Sequence, residues 1–592
     1  MTDLRAWMAR PRRFAVLIAI VVALPALGAG TLIDDWGHAA TVQGKVPGAP
    51  AWWNLYDFGD GNPVRMRQAQ DIGYPWYAHP ELRVRFLRPL SSALTYLDHT
   101  AFADCPWVAH AISIALYALV VAGVATLLLR TLGPGLGGLA AVLYAVDDAH
   151  TIPAAWLANR NALVAAAPAI WGTVAWLRWR QDGWGAGRVW AVAGFALGLA
   201  GGETALSALA LPVCFELSGA GSPGSRPLQR LRALWPLLAM AVVYALSYKA
   251  LGYGASHSGA YLDPVRETGP YLAAAGLRIP GLLGVMAFNA PIEITVAMPG
   301  SMWWFAAVGL AGVATVALLV RRAWAALDAE AQRHLPWLVL GSLLALVPVA
   351  ATFPAGRLLT VASIGGAAAV AVAIGSPLPV LARAAGLAVQ RASIAVRGTA
   401  WILVALHVVL APLAFFGGTL VLGWASRAVA GPAYREGLDA AAGKTAIFPA
   451  VPDVMGIYGL LWRVAYKQPA PSRWRALGLA LHDIELRVID AHTVELRTVQ
   501  GVLLETEAEQ IMRGPRDLFE PGDRVEINDM TVTVLQTDGQ GHPTRLAFRF
   551  DRPIDDPDHV WLQWKDGRLR RMELPRDGLW VLLKREPGVF GF

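Results

Sequence analysis

Two adjacent carboxylates, Asp34-Asp35, follow the first apolar run of this 592-residue chain, and Trp36 and His38 come directly after them. A carboxylate is costly inside a bilayer, so such a pair belongs at a wet boundary. A low-dielectric surround raises its proton affinity there and suits it to act as a general base on a hydroxyl. The plainer role is an acidic flank marking a helix end. A second pair, Asp147-Asp148, closes another apolar run in AVLYAVDDAHTIPAAWLANRNALVA, which also holds His150, Trp156, Arg160 and Asn161. The four-residue spacing from Trp156 to Arg160 would put both on one helix face; a salt-bridged helical hairpin is the competing account. Glu203, in LAGGETALSALALP, is an acid between apolar segments, a candidate binding residue or a cap at a helix break. Arg357, in VAATFPAGRLLTVASIGG, stands alone, where a guanidinium can hold a phosphate through several donors. Arg88 and Asp98-His99 lie in the loop after Asp35, with Arg83 and Arg85 read as interfacial anchors. No phosphate-binding glycine loop, GxSxG elbow or CxxC pair is present, which weakens ATPase, hydrolase and redox readings. His38, His99 and His150 are too scattered to predict a metal site.

These residues need elements to hold them. The chain is 55% hydrophobic and 16% charged, against roughly a quarter charged in soluble domains. It therefore reads as a polytopic α-helical membrane protein. The net charge of +7 is accounted for by arginine in cytoplasmic connections rather than by nucleic acid. Apolar runs near 14–33, 108–130, 133–147, 155–177, 189–202, 204–218, 233–251, 302–320, 335–352, 358–378 and 399–423 give about 11 spans of the length a bilayer needs. With Arg5–Arg13 inside, every later arginine cluster (Arg130; Arg178 to Arg188; Arg226 to Arg232; Arg321 to Arg333; Arg383 to Arg397) falls on the cytoplasmic side. The stretch 274–298 breaks this parity if it spans, and is expected as a re-entrant or surface segment on the outer side. Both acidic pairs then share the outer face.

The C-terminal region changes character. Segments 484–488, 494–498, 524–535 and 545–550 alternate apolar and polar residues, and Asp538-Gly539 and Asp566-Gly567 supply turn chemistry. The expected organisation is a transmembrane domain over 1–424 with a large first outer loop (34–107), a connector over 425–474 and a small β-rich extracytoplasmic domain over 475–592. Trp561, Trp564 and Trp580 in that domain are read as core residues before sugar-stacking ones.

HTIPAAWLANRNAL resembles the H-x-E-A-V-A-W-x-x-x-R-N-x-L stretch of the transmembrane-and-TPR O-mannosyltransferases, members of the GT-C superfamily of glycosyltransferases; His150, Trp156, Arg160 and Asn161 match. GGETALSALALP is similar to that family's Lys-Glu-Thr/Ser segment, keeping Glu203 and Pro212 with Gly202 in place of lysine. FPAGRLLTVASIGGA resembles its E-R-x-L-Y-x-P-S-x-G segment through Arg357, Ser363 and Gly365, and Leu87-Arg88-Pro89-Leu90 its Arg-Pro-Leu element. The resemblance runs collinearly over about 14–378. Departures are Ile152 where the family has an acid, Asp147-Asp148 where it has His-Pro, and a β-rich tail in place of TPR repeats.

The resemblance implies inverting transfer of a sugar from a polyprenyl-phosphate donor to a hydroxyl of a glycan, lipid or protein acceptor, on the outer face of a bacterial inner membrane. Asp35 or Asp34 would be the base. Arg357 would hold the donor phosphate with help from Arg88 or Arg160, while Asp147, Asp148, His150, Asn161 and Glu203 would position substrates. No cofactor is required, and metal dependence and oligomeric state stay open. A transporter or flippase of a lipid-linked or small polar substrate, and an inactive GT-C-like scaffold, are the alternatives.

Overall fold

The computed structural model describes residues 10–588 apart from 47, 49–50, 222–225, 430, 453, 480–481 and 576–577. It divides into two compact units interleaved along the chain: Met1–Gly30, Leu87–Gly252 and Pro264–Gly423 form the first, and Thr31–Phe86, Tyr253–Asp263 and Trp424–Phe592 the second.

The first unit is helical. Among the described residues six helical stretches are long and apolar enough to cross a membrane: Pro11–Gly28, Pro106–Val146, Pro227–Ala250, Thr268–Phe288, Met302–Ala326 and Ile394–Ala440. Pro106–Val146 is a hairpin rather than a single rod. Gly133 has φ 76 and precedes Pro134, a pair that breaks the helix. Beyond it the chain folds back, and the Tyr117 hydroxyl donates to the Ala145 carbonyl at 3.0 Å. The expected legs 108–130 and 133–147 are the two arms. A second hairpin joins Asn161–Asp182 to Ala186–Gly201. It closes on small residues, because a Cβ at Gly194 would lie 2.5 Å from the Pro168 carbonyl oxygen. Such close backbone approach is the usual adhesive between helices in lipid.

Helices Thr268–Phe288 and Met302–Ala323 pack in the same chain direction. Gly281 meets Phe305, Gly284 meets Gly309 and Gly312 meets Ala287, so residues 289–301 turn back along the pair instead of connecting two antiparallel spans. The expectation of a re-entrant or surface segment over 274–298 is corrected for its first part: Thr268–Phe288 is a continuous helix long and apolar enough to cross a membrane, and only the part after Asn289 reverses.

Arginines gather at one end of this unit. Arg180 holds Glu216 at 2.6 Å, Arg230 Nη1 donates to the Glu216 carbonyl at 3.4 Å, and Arg130 pairs with Asp182. The turns at Gly133 and Gly183 lie at this end, so residues 106, 146, 161 and 201 lie at the other.

The second unit is β-rich. Its six-stranded antiparallel sheet runs, edge to edge, Val581–Leu583, Ile484–Val488, Thr493–Thr498, Pro543–Phe550, Met530–Thr537, Arg524–Ile527. Register pairs Leu546 with Leu496 and Val534, and Phe548 with Val494 and Val532, so alternate residues fill one buried face. Residues 425–474 are more than a connector. Thr445–Phe448 and Arg473–Ala476 pair in parallel, and Thr445–Phe448 also pairs with His559–Lys565 in a four-stranded sheet. Part of the expected outer loop likewise folds here. Asp57–Asp60, Arg83–Arg85 and Gly254–Ser256 make a three-stranded sheet. Arg85 is not a lipid anchor in this setting; it pairs with Asp57 at 2.9 Å and lies over the Tyr253 ring. Trp561 is core, its indole donating to the Ile554 carbonyl.

Candidate functional site

In the first unit, segments far apart in sequence meet at the end away from the arginine cluster. Arg88 opens helix Pro89–Ala101 and its Nε donates to Glu203 at 2.8 Å. With the Asn161 amide oriented by its neighbours, its oxygen accepts from Arg88 Nη1 at 3.1 Å and its nitrogen donates to the carbonyls of Ala158 and Asn159. Gly202, with φ 156, brings its backbone beside Arg88 and Asn161, and the Ser91 hydroxyl donates to the Gly201 carbonyl at 2.6 Å. Tyr248 donates to the other Glu203 oxygen at 3.2 Å. Arg88, Asn161 and Glu203 thus form one polar knot.

A second group lies on the same unit's turn segments. The Asp147 carboxylate caps the turn by accepting the Ala149 N–H at 3.0 Å, and Glu293 accepts the Gly356 N–H at 2.7 Å. Burial pushes the Asp148 carboxyl up to about 7, and the nearby charges of Asp147 and Glu293 push the same way. Arg357 follows Gly356 directly; its guanidinium sits 5.0 Å from the Phe353 ring centre and 5.8 Å from that of Trp156. It makes no ion pair among the described residues. Asp147 also borders a small cavity with Ser363 and His407.

One expected ligand is occupied otherwise. Arg160 is 1% exposed; it pairs with Asp98 and donates to the Ala109 carbonyl at 3.0 Å. A guanidinium with buried protein partners is a structural strut, not a phosphate clamp. The one-turn spacing from Trp156 to Arg160 fails for a related reason: the backbone is extended at Trp156 (φ −111, ψ 117), between Thr151–Ala155 and the turn Leu157–Asn159. His150 is 0% exposed, between Tyr144 and Tyr117, and neither of its ring nitrogens has a hydrogen-bond partner among the described residues. Burial holds its imidazole below its ordinary range, hence neutral.

In the second unit the acidic doublet separates by role. Helix Asp34–Val42 starts directly after Ile33, whose φ of 48 and ψ of −106 are strained for a β-branched residue. Asp35 turns back and accepts the Leu32 N–H at 2.9 Å, 1% exposed. Asp34 lines a cavity of about 220 Å³ together with Tyr74, Tyr261, Tyr458, Arg65 and His38. The Tyr458 hydroxyl donates to Asp34 at 3.3 Å. Burial and the adjoining Asp34 charge raise the Tyr458 phenol well above its ordinary value, so it stays a donor. Asp57 and Asp60, also on the cavity wall, are held by Arg65 at 3.3 and 3.1 Å. The sequence favours Asp35 as base; here Asp35 holds the Leu32 N–H from a buried position, and Asp34 lines the cavity.

Sequence reasoning missed Glu293, Phe353 and Tyr458. Glu293 carried a signal, as an acid inside an apolar stretch; Tyr458 carried none.

The chain matches no protein-family model and no curated protein.

The raised Asp148 carboxyl makes a prediction. A carboxyl whose folded pKa exceeds its unfolded one binds an extra proton between the two, so stability falls as pH rises through that window. Here the window runs from the ordinary value of 3.8 to about 7. Asp148→Asn is expected to raise the unfolding temperature at about pH 8 and to leave it unchanged near the acidic end of the window. Scanning fluorimetry across that range checks it; a variant curve parallel to wild-type at every pH contradicts it.

Proposed function

We propose that this protein is a GT-C-like glycosyltransferase of the inverting type, with about 11 spans, acting on the outer face of a bacterial inner membrane. The single observation that carries the reading is the knot of Arg88, Asn161 and Glu203, because these residues come from three of the four segments that resemble the O-mannosyltransferases. The fourth segment supplies Arg357, beside Trp156. The separation of the arginine cluster from these motifs supports the orientation, since cytoplasmic ends collect arginine.

In this reading the donor is a polyprenyl-phosphate sugar and the acceptor a hydroxyl of a glycan, lipid or protein. The acceptor oxygen attacks the anomeric carbon, forming the new glycosidic bond with inversion. The bond from that carbon to the phosphate oxygen breaks, and its electron pair leaves with the lipid phosphate. Arg357 offsets the charge that grows there. The resemblance assigns the acceptor proton to a carboxylate after the first helix, which in this reading is Asp34. Asp148 and Glu293 orient donor hydroxyls, and the Arg88 knot fixes the backbone around them.

The test is donor binding. Full-length protein in detergent is expected to retain polyprenyl phosphate, detected by native mass spectrometry, with affinity reduced roughly tenfold or more in Arg357→Ala, the loss of about 1.5–3 kcal/mol expected for hydrogen bonds to a charged group. Arg357→Lys should recover part of it. Retention unchanged in Arg357→Ala would remove the phosphate role.

A further inference from the structure

Three side chains of metal-ligating type come together in the second unit, apart from the site described above. They are His79, His257 and Asp517, whose donor atoms lie within 4.8 Å of one another. All three are partly exposed, so an ion can enter and a water can complete its shell.

Their arrangement is held by backbone, not by the side chains alone. The His79 N–H donates to the Met512 carbonyl at 2.9 Å, the Gly514 N–H to the His257 carbonyl at 2.9 Å, and the Gly259 N–H to the Gln510 carbonyl at 2.8 Å. Three segments distant in sequence are therefore tied together around the donors. His257 has φ 60, a left-handed conformation that non-glycine residues seldom adopt. The two imidazole rings lie parallel, 3.8 Å apart with an interplanar angle of 2°, so one of them rotates for both in-plane lone pairs to meet one ion.

We propose that His79, His257 and Asp517 bind a divalent transition metal of the zinc class, which clips the three segments together. His257 Nδ1 and Asp517 Oδ2 are 3.2 Å apart. Two ligands at about 2.0–2.1 Å from a tetrahedral ion are separated by roughly that distance. Two imidazoles and a carboxylate are a ligand set zinc accepts, with the fourth position left to water. His79 Nδ1 accepts the exposed N–H of Glu81 at 3.1 Å, a contact that ligation through that atom would release to solvent. The clip has a structural consequence within this unit. Ile511 and Met512, which the tied loop carries, line the cavity that holds Asp34, as do Tyr77 and Tyr261 from the other two segments.

Full-length protein purified without a polyhistidine tag and stripped with a chelator is titrated with Zn²⁺ and, for its spectrum, Co²⁺. One equivalent is expected to bind, with a tetrahedral Co²⁺ absorption and a higher unfolding temperature. His79→Ala, His257→Asn and Asp517→Asn should each weaken binding roughly tenfold or more, the scale seen even for partners one shell further out. Asparagine is chosen at 257 because it tolerates a positive φ, and Asp517→Asn keeps the side-chain shape should the histidine variants fold poorly. His492→Ala should bind as wild-type does. No saturable binding by the wild-type chain, or equal binding by all three variants, would overturn the proposal and leave a hydrogen-bonded histidine stack.

Discussion

Asp34→Asn is expected to lower sugar transfer by about 10²–10⁴-fold, the range a positioned general base contributes. The neutral amide keeps the shape of Asp34 and its contact with Tyr458 but cannot take the acceptor proton. Asp35 gives the contrasting result. Its carboxylate caps the backbone at Leu32 from a buried position. Asp35→Ala should therefore cost about 1–3 kcal/mol of stability, because the buried Leu32 N–H loses its partner, while the surviving folded fraction turns over at the wild-type rate. Transfer rates normalised to folded protein, with unfolding temperatures measured alongside, separate the two. Equal rate losses in both variants would mean that the doublet acts as a unit.

The second large effect concerns stability. Arg160 and Asp98 form an ion pair with both side chains almost fully buried, and burial pushes the Asp98 carboxyl up despite the attraction of Arg160. Breaking such a pair from one side leaves a buried charge alone and costs about 3–5 kcal/mol. Arg160→Met is expected to lower the yield of folded protein severely. Arg160→Met with Asp98→Leu should recover most of it, because the desolvated charges disappear together. Expression and thermal stability of the single and double variants decide this. A phosphate-binding role for Arg160 instead predicts a stable single variant with weakened donor binding. The pair also fixes helix Pro89–Ala101, which begins at Arg88, so the single variant should loosen the Arg88–Glu203 contact as well.

Much of the fold could be read from the chain because its signals are local. The two apolar runs 108–130 and 133–147 and the period-two alternation of 484–488, 494–498, 524–535 and 545–550 each depend on a few neighbouring residues, and the corresponding hairpin and strands are found. The site was less legible because it depends on partners far along the chain. Asp98 precedes Arg160 by 62 residues, and no spacing rule distinguishes a buried strut from a ligand. Asp34 and Asp35 look alike in sequence. Their difference follows from the backbone at Ile33 and from Tyr458, 424 residues away. Trp156 and Arg160 kept a helical spacing, yet the extended backbone at Trp156 cancels what that spacing implies. The connector 425–474 was underestimated because its strands are short and pair in parallel with segments outside it, a pattern without local alternation.

The proposed function requires that lipid-phosphate sugars be consumed with Asp34 as the base. Purified full-length protein, incubated with a panel of labelled polyprenyl-phosphate sugars and with cell-envelope extract as acceptor, tests it most directly. One donor is expected to yield free polyprenyl phosphate and an inverted glycosidic product, with both lost in Asp34→Asn and kept in Asp35→Asn. Product formation by Asp34→Asn at the wild-type rate, or no release from any donor by folded wild-type protein, would contradict it.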